Sequence, residues 1–144
     1  HGQDPLVKNP ADGVKAKKAG LFGGPGAETG PCHKMHRPSI FLNAYALKDK
    51  GVDSIGIISV NDAFVMNAWK KDTDLRDEAT FLADGNAEFT KAIGMELDAS
   101  GNGLGIRSKR YSMLVEDGVV TKLNLEPNPG KVEVSGGDTL LEQL

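Results

Sequence analysis

Apolar and polar positions follow two rhythms along this chain. Ala19 to Gly24, AGLFGG, is a short apolar run ending in glycines, and Ser54 to Val60, SIGIISV, is β-branched and apolar on both faces. The second run has the pattern of a strand buried within a parallel sheet. Between the two, Met35, Ile40, Phe41, Ala44, Tyr45 and Leu47 recur at helical spacing from about Pro31 to Lys50, and Gly51 closes the segment. Pro38 falls inside this predicted helix and should bend it, because it lacks a backbone donor and crowds the preceding turn. Asn61 or Asp62 is placed to cap a second helix, AFVMNAWKK. Ala79 to Ala83 then reads as a strand, DGN as a turn, and AEFTKAIG as a short helix ended by Gly94.

After that point the rhythm changes. KRYSMLVEDGVVTKLNLE is two extended stretches around Asp117-Gly118, the strongest short hairpin signal in the chain. Ser135 or Asp138 should start a last helix ending in TLLEQL. Strand-helix units followed by an antiparallel hairpin and a helix predict an α/β protein of thioredoxin-like arrangement, with a central mixed sheet flanked by helices. Residues 1–18 carry Pro5, Pro10 and several turn residues and show neither period, so they read as a mostly irregular segment ahead of a domain spanning 19–144.

Composition narrows the function. With 144 residues, 39% hydrophobic and 26% charged, the chain can build one core. A net charge of -3 with scattered basic residues, the densest cluster being Arg107, Lys109 and Arg110, gives no electrostatic case for nucleic acid or a membrane surface. No apolar run approaches the roughly 20 residues of a membrane span, and His1 to Lys18 lacks the hydrophobic stretch of a signal peptide. One cysteine in the whole sequence argues against a disulfide-stapled secreted domain. The expectation is a cytoplasmic protein in a reducing compartment.

That cysteine, Cys32, lies in GGPGAETGPCHKMHRPS, where a glycine-rich loop gives way to the first predicted helix. It is a buried filler, a metal ligand or a reactive thiolate. A helix N-terminus stabilises a thiolate through its dipole and free backbone N–H groups. Pro25-x3-Thr29-x2-Cys32 would add a hydroxyl near the sulfur and a proline shielding it from bulk water. Cys32 and His36, four residues apart with His33 nearby, could instead share a metal. Zinc normally wants four ligands, however, and no matching pair occurs elsewhere. GLFGGPG and GNGLG lack the GxGxxG spacing of a nucleotide cradle.

PGAETGPCHKMHRP resembles the peroxidatic loop of the peroxiredoxins. The stretches KDKGVDSIGIISVNDAFVMNAW, FLADGNAEFTKAIGMELD, LGIRSKRYSMLVEDGVV and LNLE are similar, in order, to the type II or peroxiredoxin-5-type group, with the look of its bacterial members. The resemblance runs from about Ala19 to Leu144. It implies a thioredoxin fold and reduction of hydrogen peroxide and alkyl hydroperoxides without metal, haem, flavin or other cofactor. It makes Cys32 the peroxidatic nucleophile, Thr29 the hydroxyl that orients the peroxide, Pro25 the shield, and Arg110, in SKRYSM, the cation that holds the peroxide and favours the thiolate. It also implies a homodimer. Because the strand that often carries a resolving cysteine reads SIGIISV, an external thiol, glutathione with glutaredoxin or else thioredoxin, would have to regenerate the enzyme.

The loop departs from the family's usual Pro-Gly-Ala-Phe-Thr-Pro-(Thr or Gly)-Cys-Ser at four positions: Glu28, Gly30, Pro31 and His33. Glu28 places a carboxylate where the family buries an aromatic ring, often against the partner subunit. Pro31 removes a backbone N–H that the family offers to the peroxide. These changes keep a second class in view, a peroxidase-impaired relative that senses oxidants or binds partners.

Overall fold

The computed structural model describes residues 7–8, 18–26, 37–71 and 79–144. Its main sheet has six strands in the order β1-β4-β3-β2-β7-β8. They are β1 (Val7–Lys8), β2 (Lys18–Gly24), β3 (Ser54–Ser59), β4 (Thr80–Ala83), β7 (Tyr111–Glu116) and β8 (Val119–Leu125). The first four run parallel to one another, and β2 then pairs antiparallel with β7. A two-stranded ribbon, β5 (Glu96–Asp98) with β6 (Ile106–Ser108), stands apart. The helices are α1 (Arg37–Asp49), α2 (Ala63–Lys71), α3 (Glu88–Ala92) and α4 (Gly137–Glu142). The predicted mixed sheet flanked by helices is the architecture found.

Strand period 2 sorts the core onto two faces. Phe22, Ile57, Phe81 and Leu114 face one side, where Ile40, Ala44 and Leu47 of α1, Met66 and Trp69 of α2, and Leu140 of α4 cover them. The alternate residues Leu21, Ile58, Leu82, Met113 and Val115 face the other side, where Phe89 of α3 packs with Ile93 and Met95. This explains the unbroken apolar run of β3: it lies between two parallel neighbours with both faces covered, and every residue after Ser54 is buried.

Local chemistry sets the ends of these elements. Asp62, rather than Asn61, caps α2, its Oδ1 accepting from the Val65 amide at 2.8 Å. Asp117 and Gly118 both take positive φ, 51° and 81°, the conformation that closes a two-residue hairpin. Pro38 is the second residue of the described part of α1, where a missing N–H costs no internal bond. Residues 31–36, over which the sequence pattern begins this helix, lie outside the described residues.

Two short elements add to the sequence reading, and one expectation is corrected. Val7–Lys8, within the stretch read as irregular, forms an edge strand against Phe81–Leu82. The ribbon of β5 and β6 occupies a stretch that carries no clear period, because its strands are three residues each and glycines intervene. Ser135 does not cap α4. The helix starts at Gly137, whose amide donates to the Ser39 hydroxyl of α1 at 2.9 Å, and the Ser135 hydroxyl turns to Glu126 instead.

The β2–β7 pairing holds one unusually close approach. Gly23 lies opposite Tyr111, and a Cβ on Gly23 would sit 2.2 Å from the tyrosine ring. The ring therefore fills the space a side chain would take. Gly23→Ala should cost about 3 kcal/mol through overpacking. Urea unfolding of the two proteins checks this, and a change within a few tenths would show that the ring has other room.

Candidate active site

The parallel strands β2, β3 and β4 all end at the same edge of the sheet. β2 ends at Gly24, and Pro25 leads the chain out toward Cys32. Pro25 is half-buried and Gly26 buried. Because Gly23 pairs antiparallel with Tyr111, the residue before Tyr111 stands beside this exit. That residue is Arg110.

Arg110 has no solvent exposure and is the bulkiest fully buried side chain among the described residues. Burying a guanidinium is expensive unless partners replace its water. One is the carbonyl of Pro129, which accepts from Nε at 2.8 Å. The Arg110 carbonyl in turn accepts from the Glu126 amide at 3.0 Å. Of the residues singled out in the sequence, the structure thus brings Pro25 and Arg110 to one edge. Thr29 and Cys32 lie outside the described residues, as do Glu28, Gly30, Pro31, His33 and His36.

Three neighbours have no role assigned by the sequence, Arg107 figuring there only in the basic cluster. Arg107, half-buried on β6, donates from Nη1 to the Pro25 carbonyl at 3.2 Å and from Nε to the Leu104 carbonyl at 2.9 Å, tying the ribbon to the exit of β2. Asp84, buried after β4, accepts from the Phe89 amide (3.2 Å), the Thr90 amide (2.8 Å) and the Thr90 hydroxyl (2.6 Å), and so caps α3 from outside the helix. Tyr111 is wholly buried, and its hydroxyl has no hydrogen-bond partner among the described residues. Burial, with the Asp84 carboxylate nearby, pushes its ionisation well above the ordinary tyrosine range. It is a neutral phenol at any physiological pH.

Glu126, just after β8, is also buried. Its Oε2 accepts from the amides of Glu133, Val134 and Ser135, each at 2.8 Å, and from the Ser135 hydroxyl at 2.7 Å. Burial pushes this carboxyl up, but the Ser135 hydroxyl and the three amides together outweigh it and hold the group below the ordinary glutamate value.

Residues 1–141 match the Redoxin family. Over 144 residues the chain is 45% identical to peroxiredoxin-2C of Oryza sativa subsp. japonica, covering 99% of this chain and 88% of that one. It is 49% identical over 126 residues to the chloroplastic peroxiredoxin-2E of Arabidopsis thaliana, covering 86% of this chain and about half, 54%, of that longer protein. Among solved structures, reduced Prx3 of Vibrio vulnificus in complex with H2O2 superposes with a TM-score of 0.83 at 49% identity, covering 89% of this chain and 82% of that one. The chain belongs to the type II peroxiredoxins, the peroxiredoxin-5-like group of thiol-dependent peroxidases with a thioredoxin fold.

Two predictions follow from the buried groups. Tyr111→Phe removes a hydroxyl that pairs with none of the described residues and should leave stability unchanged or raise it by about 1 kcal/mol. A loss of stability in urea unfolding would mean that the hydroxyl is bonded in solution. Glu126 has a folded pKa below its unfolded one, so it contributes stability above the unfolded value and loses that contribution as pH falls through the folded value. Stability measured by urea unfolding should fall through the acid range, and Glu126→Gln should flatten that dependence; equal slopes for the two proteins would contradict the assignment.

Proposed function

We propose that this chain reduces hydrogen peroxide and alkyl hydroperoxides through Cys32, within a domain drawn as residues 19–144 to which the Val7–Lys8 strand adds an edge. The observation that carries the reading is Arg110: a fully buried guanidinium beside the exit of β2, where Pro25 begins the segment holding the one cysteine of the sequence. The Cys32 thiolate attacks one oxygen of the peroxide. The O–O bond breaks, the sulfur is oxidised to sulfenic acid, and the alkoxide or hydroxide leaves with the electron pair and takes up a proton. Negative charge thus moves from sulfur to the departing oxygen. A preorganised guanidinium, with the Thr29 hydroxyl and backbone donors, stabilises that charge as it develops, and Pro25 keeps water away.

With one cysteine in the sequence, an external thiol condenses with the sulfenic acid to a mixed disulfide and releases water, and a second thiol exchange restores Cys32. Glutathione with glutaredoxin, or thioredoxin, is the reductant we propose, in the cytoplasm. No helix among the described residues is long and apolar enough to cross a membrane. A homodimer is supported by large apolar side chains left in solvent on α1 and α2, namely Leu42, Tyr45 and Phe64, the last 85% exposed.

Stoichiometric peroxide should give one dimedone-trapped sulfenic acid per chain, and Cys32→Ser should abolish turnover. Retained turnover in that variant sinks the reading, and sulfenic acid formation without turnover by any thiol donor would favour an oxidant sensor. Arg110→Gln should raise the Cys32 pKa by about one unit or more, 1.4 kcal/mol per unit, and slow peroxide attack. Arg107→Gln, which acts on the Pro25 carbonyl, should leave the thiolate pKa within a few tenths. Thiolate absorbance against pH separates the two, and equal shifts would displace Arg110 from its role.

Pro31 generates one more expectation. Losing a preorganised donor to a charge-developing oxygen costs on the order of 1–4 kcal/mol, so restoring the family order with Gly30→Pro and Pro31→Gly should raise the stopped-flow rate of Cys32 with hydrogen peroxide at least ~10-fold. An unchanged rate would mean either that the loop presents another donor or that this N–H contributes little.

A further inference from the structure

Arg110 can serve a developing charge only if its guanidinium is already in place when the peroxide arrives. Its Nε is held by the Pro129 carbonyl at 2.8 Å. Pro129 belongs to residues 126–136, between β8 and α4, which form neither helix nor strand. A loop carbonyl is only as fixed as its loop.

One side chain closes this loop. The Glu126 carboxylate, at the near end, takes the amides of Glu133, Val134 and Ser135 and the Ser135 hydroxyl, all at the far end. The tip between them is a turn set by Asn128, whose Oδ1 accepts from the Gly130 amide and whose carbonyl accepts from the Lys131 amide. Pro129 sits in that turn. The main chain of Glu126 is meanwhile paired to Arg110 itself, amide to carbonyl, at 3.0 Å. One residue therefore grips both the backbone of Arg110 and the loop that holds its side chain.

We propose that Glu126 is a positioning residue for Arg110: by folding the 126–136 loop onto its own carboxylate it fixes the Pro129 carbonyl, and through it the guanidinium that serves Cys32. This rests on the reading of Arg110 given above. The carboxylate is suited to the task because its bonding oxygen is filled by amides and a hydroxyl, and the group its loop sets on the Nε of Arg110 is a neutral carbonyl. The arginine is held without an anion placed on its Nε.

The test has two independent readouts in the full chain. The first is protection of the Arg110 Nε–H from solvent exchange by NMR, which reports the Pro129 contact whatever the thiol does. The second is the Cys32 thiolate pKa together with the hydrogen peroxide rate. Glu126→Ala should lose the protection, raise the thiolate pKa by half a unit or more, and slow peroxide attack ~10-fold. Glu126→Gln keeps one oxygen for the same donors and should restore most of the rate. Ser135→Ala, which removes one of the four bonds, should move both readouts in the same direction by less, and it serves if the alanine variant at 126 does not fold. In an Arg110→Gln background, Glu126→Ala or Ser135→Ala should have no further effect on the thiolate. Glu133→Gln, whose side chain lies in solvent, should change neither readout.

Retained Nε–H protection in Glu126→Ala overturns the positioning itself. Lost protection with an unchanged thiolate and rate overturns the role of Arg110 toward Cys32, and a loss of stability alone, with both readouts intact, leaves Glu126 a structural residue and overturns the proposal.

Discussion

A guanidinium with no access to water governs this structure. Arg110 is buried completely, in a medium where an ionised group interacts several times more strongly than at the surface and costs several kcal/mol to desolvate. Such a group survives only where the fold brings partners to it. It stands at the edge where β2, β3 and β4 all finish, the edge at which open α/β sheets gather their functional loops. The chain leaves that edge through Pro25, toward its one thiol.

The acids near this edge are engaged in a consistent manner. Asp84 takes two amides and a hydroxyl of α3, and Glu126 takes three amides and a hydroxyl of the loop before α4. Each carboxylate organises backbone, and the Nε of Arg110 is held by a neutral carbonyl. The Arg107 contact extends the pattern: a second cation is used on main-chain carbonyls, bracing the exit of β2 against the β5–β6 ribbon.

How much of this the sequence discloses depends on how local each signal is. The buried run SIGIISV, the Asp117-Gly118 turn and the Asp62 cap are local, each written in a few adjacent residues, and the structure forms all three. The motif resemblance singled out Arg110, because SKRYSM is contiguous, and the structure buries that residue beside the end of β2. The roles of Glu126 and Ser135 are not local. They lie nine positions apart, no period relates them, and their bond exists only because the loop is folded back and buried. Ser135 before a helical stretch carries the mark of a cap, so local chemistry pointed the wrong way where a tertiary acceptor won. The short ribbon and the two-residue edge strand escape for a different reason: three residues are too few to establish a period.

The pairing of Gly23 with Tyr111 connects these two kinds of information. From sequence alone, the glycines of AGLFGG mark the end of a strand. In the structure, Gly23 is the vacancy into which the Tyr111 ring fits, and a side chain at 23 would collide with it. In an antiparallel pair a slip of one residue turns every side chain to the other face, so one bulky ring matched to one glycine opposes slippage strongly. The residue whose position depends on that register is the one immediately before the ring. Tyr111 thereby does for the backbone of Arg110 what the Pro129 carbonyl does for its side chain, which accounts for a buried tyrosine whose hydroxyl bonds to none of the described residues. The ring is needed for its bulk, and the position would be served as well by an aromatic with no hydroxyl.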